Sequence, residues 1–79
     1  MSKLRLLLAD DHGVLRAGLG SLLDAQPDLM VVGEAADAED AVRRARELSP
    51  DIALVDVRMP GGGLEATRRM KAERPELCV

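Results

Sequence analysis

Seventy-nine residues make one domain at most, and a chain of this size buries only about 60% of the surface that its unfolded form exposes. Hydrophobic residues at 47% and charged residues at 32% are the balance of a globular protein, which argues against a disordered or membrane-spanning chain. Eleven Lys and Arg against fourteen Asp and Glu leave a net charge of −3, so no overall basic field exists to attract a phosphate backbone.

The first element is the apolar run Leu4–Ala9, interrupted only by Arg5. Acidic residues follow at once, well before a signal peptide or a spanning helix would be complete, so no targeting segment and no membrane contact are expected. From Val14 the positions Leu15, Leu19, Leu22 and Leu23 follow the spacing that makes one buried helical stripe, and Pro27 ends it. A second strand is predicted at residues 30–32. The next helix carries Ala38, Ala41, Val42, Ala45 and Leu48 on its inner stripe and Glu39, Arg43, Arg44, Arg46 and Glu47 on the other side. Ser49 and Pro50 close it, and Ile52–Val55 forms the third strand. A third helix is predicted over residues 64–73, with Ala66, Thr67 and Met70 inward, until Pro75 stops it. Leu77, Cys78 and Val79 read as the opening of a fourth strand. No aromatic residue is present, so Leu, Val, Ile, Ala and Met must fill the core. The single Cys78 has no partner for an internal disulfide, and a reducing cytoplasm is the expected setting.

Strands that are apolar at consecutive positions, alternating with helices, predict a parallel sheet with helices on both faces. Ligands of such α/β folds sit outside the carboxyl ends of the strands. Asp10 and Asp11 stand at the end of the first strand and Asp56 at the end of the third. If those strands are neighbours, three carboxylates converge, which is unfavourable unless one is protonated or a cation is bound. Mg²⁺, which keeps waters and takes one or two carboxylates, suits such a site. Asp56 can then serve as a nucleophile towards a phosphoryl group.

The segments LRLLLADDH, VVGEAADAEDAVRRARELSPDIALVDVRMPGG and LEATRRMK resemble the receiver domain of bacterial response regulators, especially the LuxR-type (NarL/FixJ-like) transcription factors. The resemblance covers nearly the whole chain. It implies a flavodoxin-like, doubly wound sheet of strand order 2-1-3-4-5, with residues 1–79 as a partial receiver that stops after the third helix and the start of the fourth strand. It also implies that Asp56 is the phosphoacceptor, that Asp10, Asp11 and Asp56 hold Mg²⁺ with the backbone carbonyl of Arg58, and that Met59 and Pro60 shape the loop beyond. A sensor histidine kinase is the implied phosphodonor. DNA would be met only through a helix-turn-helix output domain outside this chain, and self-association or a homodimer is expected. The loop departs from the family pattern: two residues rather than three separate Pro60 from Gly63, and glycines at 61, 62 and 63 can absorb the change through positive φ. The family's switch hydroxyl and phosphate-binding lysine have no counterpart in these 79 residues.

Blander readings exist for each feature. Asp10 or Asp11 alone is as well explained as a helix cap. His12 is read as a surface loop residue outside the site. The Arg-rich helices carry Glu at helical spacing and form solvated, ion-paired faces rather than a nucleic-acid surface. The glycine run lacks the Lys-Ser or Lys-Thr of a phosphate-binding loop, and the first turn reads DDHG where a dinucleotide fold has GxGxxG. A receiver that no longer takes phosphate and acts only by pairing with another protein is the alternative function. A phosphatase or phosphotransferase ranks last, since its pattern needs an acid where Arg58 stands.

Overall fold

A computed structural model describes residues 3–79. In chain order the elements are β1 (Leu4–Ala9), α1 (Gly13–Asp24), β2 (Leu29–Ala35), α2 (Ala38–Leu48), β3 (Ile52–Val55) and α3 (Gly63–Glu73). The three strands are parallel in the order β2-β1-β3, so β1 is central. Leu6, Leu7, Leu8 and Ala9 are all buried, which is why β1 is apolar at consecutive positions rather than alternating. Ala9 pairs with Ala35 on one side and Val55 on the other, bringing the carboxyl ends of all three strands level.

Successive side chains of β1 separate the two faces. Leu7 and Ala9 join Ala53, Met59, Ala66, Met70 and Leu77 and the α2 stripe Ala38, Ala41, Val42 and Ala45 in one buried core. Leu8 points the other way, towards α1, where Gly20 lies against it. This is a flavodoxin-like α/β arrangement with helices on both faces. Cys78 forms a parallel bridge to Ile52 on the outer edge of β3, which places residues 77–79 where a fourth strand in the order 2-1-3-4 begins.

The structure departs from the sequence reading in β2, in the helix starts and in α1. β2 extends well past residues 30–32, because its length is set by pairing along the whole of β1 and not by the apolar run alone. The ladder slips between Leu6 and Leu7, with Val31 opposite the first and Gly33 opposite the second, so Val32 is an extra residue in β2. α1 and α3 each begin one residue earlier than read, at Gly13 and Gly63. The expected leucine stripe of α1 is only partly covered: Leu19 and Leu23 are half-buried beside the buried Gly20, whereas Leu15 and Leu22 are 59% and 67% exposed. α1 meets the sheet along the line of Arg16, Leu19, Gly20 and Leu23, and Leu15 and Leu22 lie off that line.

α2 follows its reading closely. Asp37 caps its N-terminus by accepting a hydrogen bond from the Asp40 N–H at 2.8 Å, and Glu39 and Asp40 complement the helix dipole. Ser49 ends it in the left-handed conformation, φ 49°, with its N–H donating to the Ala45 carbonyl.

Candidate functional site

β1 and β3 are hydrogen-bonded neighbours, and the residues just past their ends continue the ladder. The Asp10 N–H donates to the Ala35 carbonyl and the Asp56 N–H to the Ala9 carbonyl, each at 2.9 Å. Strand pairing therefore fixes the backbone of both aspartates, and Asp11 follows in the turn that leads into α1. One ligand atom from each of Asp10, Asp11, His12 and Asp56 lies within 4.8 Å of all the others. The three carboxylates expected from the sequence do converge.

His12 is an exposed residue of the turn before α1, as read, but its ring reaches the three carboxylates. Its Nδ1 is 2.9 Å from Asp10 Oδ1, 3.0 Å from Asp11 Oδ1 and 3.6 Å from Asp56 Oδ2. The cause is a local turn: the His12 N–H donates to Asp10 Oδ1 at 2.9 Å, and this two-residue bond folds the ring back over the carboxylates. An aspartate two positions before a histidine was the available signal, and with one histidine in the chain it is a faint one. The electrostatics follow from these contacts. The backbone and side-chain hydrogen bonds from His12 hold the Asp10 carboxyl below its usual range. The hydrogen bond to Asp10, with the charges of Asp11 and Asp10, raises the His12 imidazole.

Asp10 is the buried member of the group, and Asp56 is half-buried. Arg16 braces the first turn: its Nη1 donates to the Asp10 carbonyl at 2.6 Å and its Nε to Glu34 Oε1 at 2.9 Å. At the other end, the Arg58 N–H donates to Asp56 Oδ1 at 3.2 Å. The site opens into a groove of about 430 Å³ whose apolar wall includes Leu15, Leu19 and Leu54.

The loop after Asp56 is anchored by buried Met59 and by its glycines. Gly61 and Gly62 both adopt φ 86°, a region that residues with a Cβ rarely occupy. The Pro60 carbonyl accepts from the Ala38 N–H at 2.9 Å, so the loop also satisfies the first turn of α2. Gly63 donates to the Val57 carbonyl at 3.1 Å and packs directly on the Asp56 backbone. Carboxylate oxygens with an imidazole beside them are a donor set for a divalent cation, whose charge would relieve their mutual repulsion; the residues present fit one.

The model of the response regulator receiver domain matches residues 6–79. The response regulator GacA of Pseudomonas viridiflava is 46% identical over 77 residues, covering 96% of this chain and 36% of that protein. The transcriptional regulatory protein LiaR of Bacillus subtilis is 51% identical over 71 residues, covering 89% of this chain and 34% of that protein. The chain thus spans about a third of the length of these relatives. Among crystal structures, a two-component response regulator of the LuxR family from Aurantimonas sp. superposes with a TM-score of 0.88 at 44% identity, over 94% of this chain and 54% of that one. An acidic cluster at the carboxyl ends of β1 and β3, a 2-1-3 parallel sheet and relatives of this similarity agree, and the chain belongs to the receiver-domain family of two-component response regulators, of the LuxR/NarL type.

Proposed function

We propose that this chain accepts a phosphoryl group on Asp56 from a sensor histidine kinase, with Mg²⁺ held by Asp10, Asp11, Asp56 and the backbone carbonyl of Arg58. The observation that carries this reading is the placement of ligand atoms from Asp10, Asp11 and Asp56 within 4.8 Å of one another at the strand ends. A carboxylate oxygen of Asp56 forms the bond to phosphorus as the bond from phosphorus to the kinase histidine nitrogen breaks, and the imidazole keeps that electron pair. Bound Mg²⁺ supplies charge neutralisation for the phosphoryl oxygens during this transfer. Asp10, like any aspartate, is ionised at neutral pH and can offer its carboxylate to a cation. The Arg58 N–H on Asp56 Oδ1 fixes the orientation of the phosphoacceptor. The role is that of a stoichiometric acceptor in signalling rather than a metabolic catalyst.

In the whole protein the phosphorylated receiver would act on a DNA-binding output domain and so on transcription, in the cytoplasm. Among the described residues no helix is long and apolar enough to cross a membrane. Incubation with a small phosphodonor and Mg²⁺ should add the mass of one phosphoryl group, mapped to Asp56, and Asp56→Asn or an excess of EDTA should abolish the gain. A gain that survives in Asp56→Asn would remove the assignment.

A further inference from the structure

We propose that His12 is a ligand of the cation, and that it turns the selectivity of the site away from Mg²⁺ towards divalent first-row transition ions such as Mn²⁺. The inference rests on the reading of Asp10, Asp11 and Asp56 as cation ligands. It concerns a residue which that reading does not use.

The geometry supports a shared coordination sphere. Neighbouring ligands of an octahedral ion with bonds of about 2.1 Å stand about 3.0 Å apart, and opposite ones about 4.2 Å. His12 Nδ1 lies 2.9 Å from Asp10 Oδ1 and 3.0 Å from Asp11 Oδ1, the spacing of adjacent ligands. Its 3.6 Å separation from Asp56 Oδ2 falls between the adjacent and opposite values. The backbone is preset for this arrangement, because the His12 N–H is held by the same Asp10 carboxylate. The ring is 61% exposed and makes no capping hydrogen bond to α1. Without an ion its Nδ1 is hydrogen-bonded to Asp10 Oδ1, and a cation bound between them would take the place of that shared proton.

Mg²⁺ prefers oxygen ligands and retains its waters, so an imidazole adds little to its binding. Transition ions gain from a nitrogen donor, and an imidazole beside carboxylates moves a site in their direction. Glu34, the carboxylate of β2, is paired with Arg16. His12 is thus the residue at this strand end that can distinguish the two kinds of ion.

The chain contains one histidine, which makes the test direct. Untagged protein is loaded with Mn²⁺, binding is followed by loss of the free-ion electron paramagnetic resonance signal, and pulsed spectra are searched for imidazole nitrogen coupling. The expected result is nitrogen coupling in the wild type. In His12→Ala, Mn²⁺ should still bind but without the coupling, and the affinity ratio of Mn²⁺ to Mg²⁺, from competition, should fall about tenfold. Mn²⁺ bound with no imidazole coupling, or a ratio unchanged in His12→Ala, overturns the role of His12 and leaves the carboxylate site standing. Failure of Mn²⁺ and Mg²⁺ alike to bind the wild type overturns both readings together. Should His12→Ala fail to fold, the wild-type coupling decides alone.

Discussion

Gly63 packs directly on the backbone of Asp56, the proposed phosphoacceptor. A Cβ there would run into the Asp56 carbonyl oxygen, with the Val57 Cα 2.7 Å and the Asp56 carbonyl carbon 2.8 Å away. These are backbone atoms of the loop that carries the aspartate, and they have no rotamer by which to retreat. Gly63→Ala should therefore cost about 1–3 kcal/mol, the usual penalty for forcing extra volume into a packed place. It should also reduce phosphoryl acceptance, because relief of the clash displaces Asp56. Since the chain has no aromatic residue, urea unfolding is followed by far-ultraviolet circular dichroism. A variant as stable and as readily phosphorylated as the wild type would show that the loop can shift at little cost. The sequence showed the glycine run and its tolerance of positive φ, which Gly61 and Gly62 adopt. It could not show that Gly63 is required for space instead, because that depends on where the backbone of residue 56 returns in three dimensions. The same limit separates the three aspartates from His12. Strand ends and alternation placed the carboxylates, whereas the ring position depends on one side-chain to backbone bond.

Helix α2 was the most legible element, its apolar stripe and its stop at Ser49 read from neighbours in sequence, while the Asp37 cap was not read. What such local patterns do not give is the partner across the packing interface. Arg46 and Glu73 join α2 to α3 through two nearly parallel bonds, Nε to Oε1 at 2.9 Å and Nη2 to Oε2 at 2.8 Å. The sequence reading assigned both to a solvated, ion-paired face, which is correct, but the pairing runs between helices as well as within one. The hydrogen bonds and charge of Arg46 hold the Glu73 carboxyl below its ordinary value. A carboxyl depressed in the folded state contributes stability above its unfolded value near 4.5, and that contribution is lost as pH falls through the lower, folded value. Glu73→Gln should therefore narrow the stability gap from wild type as pH drops below about 4.5, and leave a small deficit at neutral pH, as exposed pairs do. Paired pH series of thermal midpoints measure this. A gap that stays constant down to the most acidic folded condition would mean that the Glu73 charge contributes nothing. Register was the other feature hidden at this scale: the extra residue at Val32 arises from pairing with β1, and nothing in the run Met30, Val31, Val32 marks it.

At the scale of the molecule, the sheet has one well-covered face and one that is partly open. Beside the buried core formed with α2 and α3, the α1 side leaves Leu15, Leu22 and Leu54 exposed at 59%, 67% and 43%. Leu15, Leu19 and Leu54 line one groove, so this apolar surface is continuous between α1 and β3. The outer edge of β3 adds unpaired backbone: among the described residues its partner there is the single bridge from Ile52 to Cys78. The leucine spacing of α1 was visible in the sequence, yet periodicity says only that a face is apolar and not what covers it. An apolar strand edge beside an apolar groove is a surface that another copy can pair with or cover. A polypeptide of residues 1–79 prepared by itself should therefore self-associate, with its scattering mass rising over a concentration series. Leu54→Lys should hold it nearer to monomer, because a lysine on an edge strand opposes pairing with a second chain and its charge interrupts the groove. The β1 and α2 core should be unaffected, since Leu54 lies outside it. A cooperative unfolding transition with the wild-type midpoint would check that point. If residues 1–79 remain monomeric to high concentration and unfold cooperatively, the exposed leucines are tolerated as ordinary surface, and the edge of β3 is protected by the short Cys78 bridge alone.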